Sequence, residues 1–514
     1  MKPSHDSLYS AALDAAGDTA HASPPFGVRI PNQPSVSSGG ERSPHEAAVG
    51  AAHDVALDAA EAISARLDRL PATRTIWRFV ALLSLGLFFE LYDLMFSGFI
   101  APGLVRDGIL TSTTHGLFGT TGIASFIAAL FAGLFVGTAA CGFLADRFGR
   151  RAVFTYSLLW YTAANTVMAF QTDAFGLNLW RFIAGIGIGV EIVTIASYIS
   201  ELVPKSIRGR ASACSQAVGF CAVPTVAFLS WSIVPQDVLG LSGWRCVVLL
   251  GVIGALVVWW IRLHLPESPR WLAQRGRIAE ADAILSRIEK AVARESGAAL
   301  PPPAVPERLS TRCRLRDLWV APYRQRVGML IVFHVFQTMG YYGFANWMPT
   351  LLVKQGITVT SSLMYAAIIA LAAPVGPLLG MLFADRVERK TVIVAMAGVN
   401  VVCGLIFSQA RDGALLIVLG VCLLLAGNII SFTYHAYQTE LFPTGMRARA
   451  VGFVYSFSRI SAVFSAFAIA AVLKHFGVDG VFVFISGAML TVMLAIGLFG
   501  PRTRDLALED ISAH

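Results

Sequence analysis

Charge is scarce in this chain. Only 14% of its 514 residues are Asp, Glu, Lys or Arg, against about 25% in a typical soluble domain. Hydrophobic residues make up 55% of the chain, and the mean hydropathy is +0.64. A soluble protein of this size needs far more polar side chains to cover its surface, which excludes a cytosolic enzyme and a disordered scaffold. The surplus of Ala, Leu, Val, Ile and Phe must face something other than water, and a polytopic membrane protein remains. Cysteine is sparse too. There are seven, an odd number with no Cys-x-x-Cys, so no disulfide framework is expected. Cys141, Cys214, Cys221, Cys246, Cys403 and Cys422 fall in or at the ends of apolar runs and Cys313 in a charged stretch; all read as small apolar residues. No His-Glu-x-x-His and no Ser/His/Asp cluster occurs, which leaves metal and hydrolytic chemistry without support. Residues 1–50 hold no apolar segment, so no signal peptide is expected and the first long apolar run serves as the insertion signal.

Apolar runs of about 17–30 residues recur twelve times, the length a bilayer core of about 30 Å demands of a helix. They are predicted at Ile76–Val105, Thr121–Leu144, Ala152–Phe170, Leu177–Leu202, Ala211–Val234 and Cys246–Leu265. After a polar gap come Val327–Val353, Ser362–Phe383, Val392–Ser408, Ala414–Leu441, Val451–Leu473 and Val481–Leu498. With both ends of the chain on one side, 33 of the 40 Lys and Arg residues fall on that side. Arg106, Arg245, Lys354, Arg411 and Lys474 fall on the other, and Arg181 and Arg459 lie within the fourth and eleventh runs. This is the positive-inside pattern, which assigns both termini to the cytoplasm. The net charge of +8 therefore concerns orientation, not nucleic acid.

Five segments follow: a cytoplasmic tail (1–72), a six-helix bundle (73–265), a cytoplasmic linker (266–325), a second six-helix bundle (326–500) and a short cytoplasmic tail (501–514). Residues 1–46, rich in Ser, Pro, Gly and His, are expected to be disordered. Residues 47–70 have the pattern of an amphipathic helix lying on the inner membrane surface. The gap from Pro266 to Arg326 carries twelve Arg and Lys, with a surface helix predicted over Ile278–Arg294.

Two motifs repeat. L-A-D-R-F-G-R-R around Asp146 returns as F-A-D-R-V-E-R-K around Asp385, and Y-I-S-E-L-V-P-K-S-I-R-G-R-A from Tyr198 returns as Y-Q-T-E-L-F-P-T-G-M-R-A-R-A from Tyr437. Asp146 to Glu201 and Asp385 to Glu440 both span 55 residues, so both motif pairs share one offset, 239. Two independent motifs at one offset mark two homologous halves, the organisation of transporters that rock one half against the other.

G-F-L-A-D-R-F-G-R-R from Gly142, its second-half copy, P-E-S-P-R-W-L from Pro266 and the two E-L-x-P-x-x-x-R segments resemble the major facilitator superfamily, in particular its sugar-porter and metabolite:proton symporter branches. The resemblance covers about residues 65–500. It implies an all-α integral membrane fold of twelve transmembrane helices in two pseudo-symmetric six-helix bundles, the major facilitator fold. It also implies a small-molecule substrate, protons as coupling ion with no other cofactor, and a monomer in the inner membrane. One departure is Glu388, where the loop motif usually carries glycine.

The charged motifs then suggest a cytoplasmic gate. Asp146 is expected near a helix N-terminus, where an anion is favoured. Arg147, Arg150 and Arg208 offer forked donors to Glu201, as Arg389 and Arg447 do to Glu440 and Asp385; the alternative is that these charges only obey the positive-inside rule. Charge inside a span costs roughly 2.5–3.5 kcal/mol, so each such residue is a candidate site. Glu90 and Asp93 share one face of the first helix, and Arg181 and Glu191 lie on the fourth. The resemblance matches Asp93 to a carboxylate of the sugar porters and Arg181 to its partner, giving a proton-coupling group of Asp93, Arg181, Glu90 and Glu191; a permanent structural pair is the alternative. Gly185-x-x-x-Gly189 reads as close helix packing rather than a nucleotide loop. Gln337, Tyr341, Tyr342, Asn346, Trp347 and His435 are candidate substrate residues, with packing or lipid-facing aromatics as the alternative on the seventh helix. Arg459, near the midplane, is a candidate for an anionic substrate group, with a permanent pair to Glu90 or Glu191 as the alternative. A small organic or aromatic acid is expected. A sugar or polyol, or drug–proton antiport, are alternatives, and a non-transporting receptor is a more distant one.

Overall fold

The computed structural model describes residues 59–111, 113–114, 122–238, 240–262, 265–303, 315–321, 323–384, 387–442 and 444–503. Asp385 and the side chains of Asp146 and Arg447 lie outside the described residues, as do 1–58 and 504–514.

The first half begins with α1 (59–68), α2 (Arg74–Arg106), α3 (Gly122–Phe148), α4 (Arg150–Ala169) and α5 (Ala174–Leu202). It continues with α6 (Arg208–Phe220), α7 (Ala222–Ile233) and α8 (Gly243–Arg262). The linker holds α9 (Pro269–Gln274) and α10 (Ile278–Ser296). The second half is α11 (Tyr323–Lys354), α12 (Val359–Ala370), α13 (Val375–Ala384), α14 (Arg389–Gln409), α15 (Gly413–Glu440) and α16 (Thr444–Phe499). Among the described residues nine segments are long and apolar enough to cross a membrane. The last of them, Arg449–Phe499, covers two of the apolar runs, joined at Gly477, whose φ of 67° no helix adopts. With α4 and α8 added, every one of the twelve runs coincides with helix. The fifth run is divided between α6 and α7 and the eighth between α12 and α13; Pro224 and Pro374 lie at these breaks, where a missing N–H interrupts the ladder.

The repeat reaches further than its two motifs. Asp173 caps α5 by accepting from Gly176 N at 2.7 Å, and Asp412 caps α15 by accepting from Leu415 N at 2.9 Å; 412 minus 173 is again 239. Tyr198 and Tyr437 donate to the carbonyls of Pro266 and Pro501, where each half ends. α3 and α5 approach so closely that a Cβ on Gly185 or Gly189 would stand 2.4 Å from a carbonyl oxygen of α3, the packing expected of that glycine pair. At the loop glycine the halves diverge. Gly149 has φ +99°, whereas Glu388, its counterpart, has φ −55°, so the second loop turns without the left-handed conformation that only glycine tolerates well.

Core packing is unequal on the two sides of the molecule. Away from the basic clusters, one continuous apolar core joins both halves, with Phe126, Phe131 and Trp244 from the first and Phe344, Trp347 and Phe407 from the second. On the basic side the halves have separate cores, one around Leu83, Tyr198 and Trp271 and the other around Phe333, Tyr437 and Phe442. Large apolar side chains such as Trp160, Val402 and Phe464 are exposed on the outside, as a lipid-facing surface requires.

Over its described part, residues 59–70, the expected membrane-surface helix is corrected. The apolar residues Ile63, Leu67 and Leu70 are buried in the first-half core, so protein rather than lipid covers that face of the segment. Charge fastens α1 there: Arg66 reaches Asp282 at 2.5 Å and Glu289 at 2.7 Å, and Arg69 reaches Glu289 at 2.7 Å. Burial alone would raise the Glu289 carboxyl, but the two guanidiniums prevail and hold it below its ordinary value.

Candidate functional site

Between the halves lies a cavity of about 310 Å³. α2 contributes Glu90, α11 contributes Gln337, Tyr341 and Tyr342, α15 contributes Tyr434 and His435, and α16 contributes Tyr455 and Arg459. Arg459 is 5% exposed. Its Nη2 donates to the Tyr455 hydroxyl at 3.1 Å, and its guanidinium lies over the Tyr455 ring, 5.0 Å from the centroid. Its Nε is buried with no acceptor among the described residues. A desolvated guanidinium N–H costs free energy until an acceptor reaches it, and a carboxylate is the acceptor whose geometry matches the fork.

Behind His435 runs a buried polar chain. His334 Nε2 lies 3.1 Å from Gln438 Oε1, and Gln438 Nε2 lies 3.3 Å from His435 Nδ1. His435 stacks on Tyr434 with ring centroids 4.2 Å apart. Four of these residues escaped the sequence reading: His334, Gln438, Tyr434 and Tyr455. Helical spacing carried the signal, since Tyr455 precedes Arg459 by one turn, and His334 precedes Gln337 and Gln438 follows His435 by three residues.

Asn346 and Trp347 are corrected as cavity residues. Both are buried, beyond Tyr342 along α11 and outside the cavity lining. A Cβ on Gly98 of α2 would stand 2.4 Å from Asn346 O, and Trp347 belongs to the continuous core. Only the middle of α11 faces the cavity, because its last turns are spent sealing the halves together.

The four candidate proton-coupling residues occupy three places. Asp93 and Arg181 pair at 2.6 Å and are 3% and 0% exposed. Arg181 Nη2 also donates to Asp93 O at 2.6 Å and Ser97 Oγ at 2.7 Å, while Asn165 Nδ2 donates to Asp93 Oδ2 at 2.7 Å. The rings of Phe96 and Phe126 flank the guanidinium. Ser97 and Asn165 are further residues absent from the sequence reading; Ser97 stands one turn after Asp93, and Asn165 is an isolated amide in an apolar run. Glu90 lies in the central cavity instead. Glu191 is buried on α5, ten residues past Arg181 and so about 15 Å along the helix, outside the cavity lining and apart from the pair.

On the basic side, two of the expected pairs are present, each within one half. Arg150 meets Glu201 through Nη2 at 2.9 Å and Nε at 3.1 Å, and Arg389 Nε meets Glu440 at 3.0 Å. Arg208 is corrected as a partner of Glu201: it opens α6 and points to α1, where it reaches Asp68 at 3.5 Å. Arg147 is exposed and its guanidinium lies 5.4 Å from the Phe148 ring centroid. Asp146 falls in the last turn of α3; the carboxylate at the N-terminus of α4 is Glu267, which accepts from Arg150 N at 3.0 Å and Arg151 N at 3.2 Å.

Comparison with known proteins agrees with this architecture. The family model described as "Sugar (and other) transporter" matches residues 79–514. The chain is 32% identical to the inner membrane metabolite transport protein YdjE of Escherichia coli (strain K12), covering 88% of this chain and 98% of YdjE. It is 29% identical to the niacin transporter NiaP of Acinetobacter baylyi, covering 87% and 98%. Among solved structures, the xylose transporter XylE from E. coli in a partially occluded inward-open conformation superposes with a TM-score of 0.66 at 19% identity, covering 84% of this chain and 99% of XylE. An extended family match, a relative above 30% identity over most of both chains and the shared fold lead to one conclusion: the chain belongs to the sugar (and other) transporter family.

Proposed function

We propose that this transporter is a proton-coupled symporter that carries a small carboxylate, an aromatic or other organic acid, across the inner membrane by alternating access. As a member of a transporter family it is not an enzyme. The observation that carries the substrate class is Arg459, which lines a cavity walled by Tyr341, Tyr342, Tyr434 and Tyr455 and whose Nε has no acceptor among the described residues. A guanidinium among aromatic rings suits a flat anion better than a polyol. NiaP is named for niacin, itself a pyridine carboxylate, which supports the reading.

Coupling rests in the Asp93–Arg181 pair. Protonating Asp93 removes the charge that holds Arg181, which loosens α2 from α5; regaining that charge draws them together. The basic side is taken as cytoplasmic, where Arg150–Glu201 and Arg389–Glu440 act within a gate that re-forms between halves when this side closes. The transport unit is taken as the monomer. Proteoliposomes with an imposed pH gradient, offered radiolabelled benzoate, nicotinate and xylose, test the reading. Accumulation of an acid that collapses with the gradient is expected. Gradient-driven uptake of xylose alone would transfer the chain to the sugar symporters.

A further inference from the structure

We infer that the buried chain His334–Gln438–His435 fixes His435 as a neutral hydrogen-bond donor beside Arg459, so that the cavity selects carboxylates carrying a second hydrogen-bond acceptor. This rests on the carboxylate reading above. The argument follows the protons. The Gln438 Oε1 has only lone pairs, so its 3.1 Å contact is a bond donated by His334 Nε2–H. The Gln438 Nε2 has only hydrogens to offer, so at 3.3 Å it donates to His435 Nδ1. A neutral imidazole whose Nδ1 accepts carries its proton on Nε2. On His435, a cavity residue, that proton is offered at the opposite edge of the ring. His334 is 0% and Gln438 2% exposed, and His334 Nδ1 is buried without a partner among the described residues. That arrangement keeps His334 neutral in its Nε2–H form, because a second proton would add an unpaired charge to a buried ring.

The pocket therefore offers two donors from different helices of the second half, Arg459 for a carboxylate and His435 Nε2–H for an acceptor elsewhere on the ligand. A ring nitrogen, a carbonyl or an ether oxygen satisfies the second; a hydrocarbon edge leaves it unpaired. Gln438 is a positioning residue, since it acts on the ligand only through the His435 tautomer.

The test uses the full chain purified in detergent. Calorimetry compares nicotinate with benzoate, which are alike in shape and charge but differ by one ring nitrogen. Nicotinate is expected to bind at least about tenfold more tightly, the scale of leaving a buried donor unmade. In Gln438→Leu the ratio should fall towards one with benzoate affinity unchanged, a shift that a merely structural role would not produce. His435→Phe, which keeps a flat ring, should equalise the two probes and serves if Gln438→Leu fails to fold. Independently of any ligand, 15N spectra of imidazole-labelled protein should show the Nε2–H tautomer at His435, assigned by its loss in His435→Phe. Equal affinities in the parent protein, a preference that survives both variants, or an Nδ1–H signal at His435 would each overturn the inference and leave the carboxylate reading standing. Binding of neither acid would remove that reading and the inference with it.

Discussion

Arg181 and Arg459 are both guanidiniums buried inside helices of this transporter, yet their surroundings are opposite. Around Arg181 the acceptors are complete: the Asp93 carboxylate, its backbone carbonyl and Ser97. Around Arg459 stand the hydroxyls and rings of Tyr455 and Tyr342, with the Glu90 carboxylate acting on it in the same cavity, and Nε has no acceptor among the described residues. A saturated buried charge is a hinge pin whose strength depends on the charge of its partner. On the function proposed above, an incompletely satisfied one at the wall of a cavity receives the ligand. Burial alone does not separate the two; counting acceptors does.

The largest effect should come from destroying the saturated site. Arg181→Leu strands Asp93 in an apolar setting, and loss of one partner of a buried pair costs about 3–5 kcal/mol, visible as a lowered unfolding midpoint in detergent. Asp93→Asn keeps the shape and a hydrogen-bonding oxygen but leaves the Arg181 charge unpaired, so a smaller drop in the unfolding midpoint is expected, while proton-driven accumulation disappears and counterflow persists. Continued accumulation against a gradient in Asp93→Asn would refute the coupling role. Arg459→Lys comes next. Lysine keeps the charge and loses the fork, so acid affinity should drop by about 10- to 100-fold with the unfolding midpoint unmoved. An unchanged affinity would make Arg459 structural and erase the contrast.

A steric change sharpens the comparison from outside both sites. Gly98→Val drives a side chain into the Asn346 backbone, where even a Cβ stands 2.4 Å from the carbonyl oxygen. Overpacking of this kind costs about 1–3 kcal/mol, all of it charged to the state sealed on this side. Thiol labelling of a cysteine placed at Phe344 should accelerate in the Gly98→Val background, and an unaltered rate would mean that the seal lies elsewhere. The smallest effect concerns the clamp between α1 and α10. Glu289 is held below its ordinary value, so the stabilisation is complete above the unfolded carboxyl pKa of about 4.3 and is lost as the pH falls through the depressed folded value. Hydrogen-exchange protection of residues 59–68 should thus be flat from neutral pH to about pH 5 and decline below about pH 4. Full protection at pH 3 would show that the apolar contacts of Ile63 and Leu67 hold α1 without the charges.

The architecture was largely legible in the sequence because its signals are long. Twelve apolar runs and one offset of 239 are statements about hundreds of residues, and no local accident erases them. The Asp93–Arg181 pair was legible for a different reason: charge inside an apolar run is costly, and few partners are available. His334, Gln438, Ser97 and Asn165 were not, since a neutral polar residue in a helix means little until its neighbours on other helices are known. Asn346 and Trp347 misled because polarity and aromaticity do not say how far along α11 the cavity extends. Glu191 was grouped with Arg181 through sharing a helix, though ten residues separate them. Arg208 shows the same limit on the basic side, where its acceptor Asp68 comes from a segment 140 positions earlier.

The continuous core on one side and the divided cores on the other imply a thermal signature for transport. Opening the sealed side brings water to Phe131, Phe344 and Trp347, and hydrating apolar surface raises the heat capacity. The basic side, where the cores of the halves are already separate, contributes no comparable change. The balance between the two access states should therefore bend with temperature instead of following a straight van 't Hoff line. A transport rate measured from cold to warm would inherit that curvature, with no change in the chemistry of binding.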